Sequence, residues 1–386
     1  MMSQITAIMV LEKYANDCIS CGICQDTCSL LGNAEVQLGD IARQIVDGSA
    51  TQEVIGLIQR CDLCGLCAQE CVGDQNPDKM IEAAREVLIT QGKISVEEYS
   101  PLLVDQDWNT FSLYRETFNI RYSDLQRDSY DVLFFPGCTL AAYSPELTRT
   151  SYHWLETQGM VTGFSDLCCG KPLGSIGLND RVDQLHQYLL IQMQKAGAHR
   201  LVTACPNCYY HLAGNLPGIK VLSLYRMMKD AGVRWEQSER LTVHDSCPDR
   251  NELFIGGDIR QILAGSDLVE MEHYGKTTIC CGSGGIVSMI DPDLCQERAR
   301  QRIQEYEVTG ASRLVTACMA CAHRLAKASQ PNQVVHFLEM IFEIPVDYAR
   351  VQVNLQNMWE GKVGRVNQSR LARARSFTVE EPASHA

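Results

Sequence analysis

Gly197-Ala-His-Arg-Leu-Val-Thr-Ala-Cys-Pro-Asn-Cys208 and Gly310-Ala-Ser-Arg-Leu-Val-Thr-Ala-Cys-Met-Ala-Cys321 agree at nine of twelve positions. Sixteen residues after Cys205 and Cys318 come the apolar runs Val221-Leu222 and Val334-Val335, so the likeness extends past the cysteines. An internal duplication explains it better than chance. Each copy alternates short apolar runs (Val132 to Phe135, Leu201 to Ala204, Leu241 to His244, Leu314 to Ala317) with helical patterns such as Val182 to Lys195 and Leu294 to Tyr306. Strands alternating with helices build α/β units with a parallel sheet, and functional groups in such units gather at the carboxyl ends of the strands. Cys138, Cys205, Cys247 and Cys318 all follow apolar runs in that way. The expected organisation is α+β overall: a helical module over 1–92, a linker over 93–130, two α/β (Rossmann-like) copies over 131–240 and 241–349, and a flexible tail over 350–386.

Upstream of the repeat, Cys18-x2-Cys21-x2-Cys24-x3-Cys28 is followed by Cys61, Cys64, Cys67 and Cys71 at the same spacing. That run is the one expected for two cubane [4Fe-4S] clusters, in which the fourth cysteine of each run serves the other cluster. The assignment is therefore Cys18, Cys21, Cys24 and Cys71 to one site and Cys61, Cys64, Cys67 and Cys28 to the second. Gly22 and Gly65 hold the same place in both runs and suit a tight loop close to a cluster. Ser29 and Val72 stand where proline usually follows the fourth cysteine. Zinc is the alternative metal for Cys-x2-Cys pairs, disfavoured by the doubled four-cysteine run. The pieces between and after the runs, Ile41 to Val46, Val54 to Ile58 and Pro77 to Gly92, carry helical apolar spacing.

The chain has 386 residues, 19 of them cysteine, with 45% hydrophobic and 21% charged residues. Such a balance supports ordinary globular cores. The opening MMSQITAIMVLEKYANDC has no basic region ahead of an apolar one, and no apolar stretch nears the roughly 18 residues of a membrane span. A cytoplasmic protein with thiols reserved for metals or catalysis is the expectation, not a disulfide framework. The formal charge of −13 disfavours nucleic acid as a partner.

The repeat carries five cysteines per copy: Cys138, Cys168-Cys169, Cys205 and Cys208, then Cys247, Cys280-Cys281, Cys318 and Cys321. Adjacent thiols suit an object larger than one tetrahedral ion, and a structural zinc is satisfied by four ligands. Gly170 and Gly282, the latter followed by Gly284 and Gly285, come directly after the pairs and would let the backbone approach an inorganic core. The nineteenth cysteine, Cys295, reads as a packing thiol near a helix start.

Phe135-Pro-Gly-Cys138, Cys168-Cys-Gly170, Cys205-x2-Cys208, His244-Asp-Ser-Cys247-Pro248, Cys280-Cys-Gly282 and Cys318-x2-Cys321 resemble the paired cysteine-rich CCG domains. Together with the two upstream runs they resemble the catalytic iron–sulfur subunit of heterodisulfide reductase over about residues 15 to 340. The resemblance implies a ferredoxin-like first module and a noncubane [4Fe-4S] cluster in each five-cysteine set, the pair of clusters splitting a disulfide. The same arrangement resembles the iron–sulfur subunits of glycolate, lactate and anaerobic glycerol-3-phosphate oxidation, where it implies an electron relay beside a flavoprotein. No nucleotide-binding glycine fingerprint follows a strand, so electrons are expected from a partner: a flavoprotein or other donor subunit, or a membrane cytochrome contacted from the cytoplasm. A small thiol or disulfide would be the substrate. His211, His244, His323 and Lys171 lie next to the cysteines and are candidate proton donors, each with an ordinary structural hydrogen bond as its alternative.

Overall fold

Short strands of two to five residues, the central ones largely buried on both faces, build two parallel sheets in the computed structural model, which describes residues 2–32, 34–284 and 286–378. The first sheet contains β1 (Val132–Phe135), β2 (Thr162–Phe164), β3 (Arg200–Thr203) and β4 (Lys220–Ser223) in the order β2-β1-β3-β4. The second contains β5 (Arg240–His244), β6 (Asp267–Leu268), β7 (Arg313–Thr316) and β8 (Val334–His336) in the order β6-β5-β7-β8. Identical order and all-parallel pairing bear out the duplicated α/β reading. The register aligns the copies residue by residue. Phe135 pairs with Thr203 and His244 with Thr316, and those threonines share one position of the repeat, so Phe135 and His244 do too.

The chain divides into two compact units whose borders differ from the expected domain limits. One unit comprises the residues up to Tyr99, Gly174–Asn179 and Arg234–His336, and so contains the N-terminal helices and the second sheet. Helices Met2–Asp17, Leu38–Val46 and Pro77–Thr90 bury Leu11, Ile41, Ala42, Ile45, Ile81 and Leu88 against one another. Arg85 lies fully inside this unit. Its guanidinium donates to the carbonyls of Ile58 (2.7 Å), Gln59 (3.0 Å), Cys61 (2.7 Å) and Ser175 (2.5 Å), which neutralises the cost of burying a cation and ties the 174–179 segment to the second cysteine run.

The other unit comprises Ser100–Leu173, Asp180–Val233 and the residues from Phe337 on, around the first sheet. Residues 350–378, expected as a flexible tail, form helices Tyr348–Asn357 and Gly361–Leu371. Val351, Leu355 and Met358 recur at helical spacing, and Met358 is fully buried with Leu113, Tyr114 and Ala142 beneath Trp108, Phe111 and Trp359. The aromatics of the expected linker are the other half of that core, on a helix Thr110–Thr117 closed by an Asn109/Ser112 capping box. Ser376 then forms an antiparallel bridge with Gln106. Residues 379–386 of the expected tail, and Gly285, lie outside the described residues.

Candidate metal centres

The first four-cysteine site draws on both runs. Cys18, Cys21, Cys24 and Cys71 line one small cavity beside Tyr14 and Leu38. Burial pushes the Cys24 thiol up to about 11, helped by repulsion from Cys18, Cys21 and Cys71, and the amide of Gln75 donates to Cys71 Sγ at 3.3 Å. Across the second run, Cys61 is pushed up to about 12 by burial, against the pull of Arg85, with Cys64 and Cys28 adding repulsion. Burial raises Cys67 further, and Cys61, Cys64 and Cys28 again repel its charge. Each quartet therefore mixes three cysteines of one run with the last of the other. Gly22 and Gly65 adopt φ of 83° and 74° at the starts of one-turn helices Ile23–Asp26 and Leu66–Gln69, a left-handed conformation that a side chain disfavours.

Each five-cysteine set converges at the carboxyl ends of its sheet. In the first, Cys168 is hydrogen-bonded to Cys138 and Cys169, Cys169 also to Cys208, and Cys208 to Cys205. In the second, Cys280 meets Cys247 and Cys281, Cys281 meets Cys321 with sulfurs 3.0 Å apart, and Cys321 meets Cys318. All the cysteines are free thiols rather than disulfides. Sharing protons along each chain pushes Cys168, Cys208, Cys280 and Cys321 well above the usual thiol range and Cys169 and Cys281 well below it. Five sulfurs crowded this way, three buried in the first set and four in the second, form a donor set with more ligands than one zinc uses, and it fits a multi-iron cluster.

Gly282 and Gly170, the glycines after the pairs, both have positive φ and lie against a helix that follows. A Cβ on Gly282, at φ 79°, would lie 2.3 Å from the Cys295 carbonyl oxygen, so the helix Pro292–Thr309 occupies that space. Around Gly170 the nearest atoms belong to Leu185, Val182 and His186 of the helix Asn179–Ala196. Cys295 is fully buried beneath Gly282, as a packing thiol would be.

The four candidate proton donors sit as follows. Lys171 opens the helix Lys171–Ile176, and its backbone amide donates to Cys169. His211 lies on the helix Pro206–Leu212 with its ring 5.2 Å from that of His186, whose Nε2 is 2.8 Å from the Cys169 carbonyl. His323 is half-buried on the helix Met319–Ala326. His244 is buried, with a ring nitrogen within 4.8 Å of the Cys281 and Cys321 sulfurs.

Sequence reasoning missed the polar groups between the second cysteine run and the second five-cysteine set. Asp62, enclosed between Cys61 and Cys64, accepts from the Cys280 thiol at 3.3 Å and is ion-paired with Arg298. Cys64 is drawn down to about 7, chiefly by a hydrogen bond with Cys280. Arg250 donates to the Cys64 carbonyl at 3.4 Å, and Gly284 passes so close to Asp62 that a Cβ would lie 2.5 Å from its carbonyl oxygen. The available signal was Arg298 and Arg302 standing on the same helix face as Ala299, Ile303 and Tyr306, where an apolar stripe was due.

The family described as "CCG: Cysteine-rich domain" matches residues 132–213 and 241–326. A dihydromethanophenazine:CoB–CoM heterodisulfide reductase subunit of Methanosarcina barkeri is 24% identical, over 88% of this chain and 95% of its own. Its counterpart in Methanosarcina mazei, which bears the same name, is 26% identical over 74% of this chain and 76% of its own. Lactate utilization protein A of an Exiguobacterium species is 23% identical over 55% of this chain and 97% of its own. The chain thus matches the cysteine-rich domain family in two copies and resembles those heterodisulfide reductase subunits. Among the described residues no helix is long and apolar enough to cross a membrane.

Proposed function

We propose that the chain is one component of a larger complex, receiving electrons from a flavoprotein or other donor and delivering them to a small disulfide, or withdrawing them from thiols. In this reading Cys18, Cys21, Cys24 and Cys71, and Cys61, Cys64, Cys67 and Cys28, hold two cubane [4Fe-4S] clusters in a ferredoxin-like module. The two five-cysteine sets hold two noncubane [4Fe-4S] clusters. When bound, such clusters supply one-electron carriers and, at the five-thiolate sites, iron able to bind a substrate sulfur. The carrying observation is the convergence of five thiols, not four, at each of two duplicated strand ends.

The chain's own residues support this in distinct ways. The hydrogen bond between Cys64 and Cys280 brings a thiol of the second cubane set against one of the second five-cysteine set, a short path for an electron. Arg298 and Arg250 place cations beside sites that concentrate thiolate charge. His211 and His244 stand near the sulfurs where a departing thiolate would need a proton. A cytoplasmic location, with membrane contact made only through a partner, belongs to the same reading.

The resemblance to lactate utilization protein A favours a second reading, an electron relay beside a flavin-dependent dehydrogenase. Anaerobically purified protein separates the two. Iron and sulfide analysis should give about sixteen irons, four per cluster. A new paramagnetic signal on adding candidate thiols supports disulfide chemistry. Full iron content with no thiol response assigns the relay, and far less iron defeats both.

A further inference from the structure

The duplicated sites have the same ligands but different surroundings. Arg302 is fully buried, and its Nε–H donates to His244 Nδ1 at 3.0 Å while Nη1 donates to the His273 carbonyl at 2.6 Å. A guanidinium has no acceptor to offer, so Nδ1 must present its lone pair and the ring proton must sit on Nε2. Nε2 is buried and, among the described residues, meets no oxygen or nitrogen partner. The ring stands within 4.8 Å of the Cys281 and Cys321 sulfurs, so the proton is held next to two members of the five-thiol set.

The first copy has neither part of this device. Phe135 occupies the position of His244 by strand register. Leu189 occupies the position of Arg302, because the helices Asn179–Ala196 and Pro292–Thr309 have equal length and end at the matching glycines Gly197 and Gly310. At those two positions the first site has an aromatic ring and an aliphatic side chain, and neither offers an N–H; its Cys169 meets the Lys171 backbone amide instead.

We infer that His244, locked by Arg302 as an Nε2–H donor toward the Cys281 and Cys321 sulfurs, makes the second five-cysteine site the stronger electron acceptor of the pair. This rests on both sites holding iron–sulfur clusters, as proposed above. A hydrogen bond to sulfur stabilises the state with more charge on sulfur, which is the reduced one, and so raises the reduction potential. The step is the addition of one electron, supplied in the test by dithionite, with no bond formed or broken and no proton moved. In this one-electron step His244 acts as a positioning residue for charge.

The experiment is an anaerobic redox titration of the full, cluster-loaded chain followed by electron paramagnetic resonance. His244→Phe copies the first site, and His244→Asn keeps a polar group but withdraws the donor in case the phenylalanine variant fails to fold. In either, one of the two noncubane signals should become harder to reduce by at least a factor of about ten, or about 59 mV for a one-electron couple, while the other stays in place. His244→Gln, whose amide N–H reaches further, should recover most of the shift. Unmoved potentials in the Phe and Asn variants would overturn the inference and leave the proposed function standing. Loss of about four irons in those variants would make His244 a ligand and also overturn it. A wild-type chain without noncubane signals would overturn the proposed function first and this inference with it.

Discussion

The two cysteine-rich domains share strand order, register and five thiols apiece, yet each is completed by different material. The second shares a compact unit with the N-terminal cysteine runs, and its pair Cys280-Cys281 meets Asp62, Cys64, Arg298 and His244. The first shares a unit with the 100–130 segment and the C-terminal helices. A cavity of about 230 Å³ beside its Cys138 and Cys168 is walled by Phe111, Arg115 and Phe377. Duplication kept the part that places thiols and let the part that sets charge and access diverge. In the second domain a carboxylate and arginines surround the sulfurs. In the first, the corresponding place on the helix after the cysteine pair is the aliphatic Leu185, and the next residue, His186, meets the Cys169 carbonyl.

The sharpest way to break the comparison is to remove one central thiol from each set. Cys169→Ala and Cys281→Ala should each lose about four of sixteen irons, checked by iron and sulfide analysis; equal losses would hold the two sites to equal stoichiometry. Next comes the buried pair. Arg298→Met leaves Asp62 as an unpaired buried charge and should cost about 3–5 kcal/mol in urea unfolding. His186→Ala, on the first domain's equivalent helix, should cost about 1–3 kcal/mol for a carbonyl left unbonded. Similar losses in the two variants would erase the difference. Met358→Ala opens a cavity in the core that only the first domain's unit contains, with an expected loss of about 2–4 kcal/mol and earlier proteolysis of residues 350–378.

The smallest effect concerns acid. His336 ends β8 where Ser223 ends β4. Burial draws its pKa down from 6.5 to about 4, although its Nε2 meets the Ala317 carbonyl at 3.0 Å. The neutral ring is the folded form, so this stability is fully present above pH 6.5. It is lost as pH falls toward 4, because the unfolded chain takes up the proton first. Between pH 6.5 and 5 the loss should be about 2 kcal/mol. His336→Ser, which installs the first domain's residue, should flatten the slope in unfolding measured across that range; an unchanged slope would show that the ring is not the acid-sensitive group.

The sequence made the repeated part plain because Arg-Leu-Val-Thr-Ala-Cys writes a strand and its terminal ligand in consecutive residues. The equal spacing of the two upstream runs was legible in the same way, in consecutive residues. What stayed hidden depends on contacts between distant residues. Nothing near Asp62 announces that Arg298 will reach it, and nothing near Met358 announces Leu113 and Tyr114. The basic tail residues Arg365, Arg370, Arg373 and Arg375 suggested a solvated extension, yet the apolar positions preceding them carry the packing, and Arg370 lies over the Trp108 ring at 4.7 Å. At Gly282 the helix Pro292–Thr309 comes so close that only glycine fits, a contact with a distant segment that the sequence does not show.

The interleaving of the two units dictates an order of assembly on the ribosome. The unit holding the second domain has all its parts once His336 has been made. The unit holding the first domain still lacks the helices beginning at Phe337, Tyr348 and Gly361, including the Met358 that fills its core. Vectorial synthesis ordinarily finishes N-terminal structure first. Here the earlier-translated copy must wait, incompletely covered, for the segment from Phe337 to emerge, so synthesis halted before that point would leave its thiols the more exposed to oxidation.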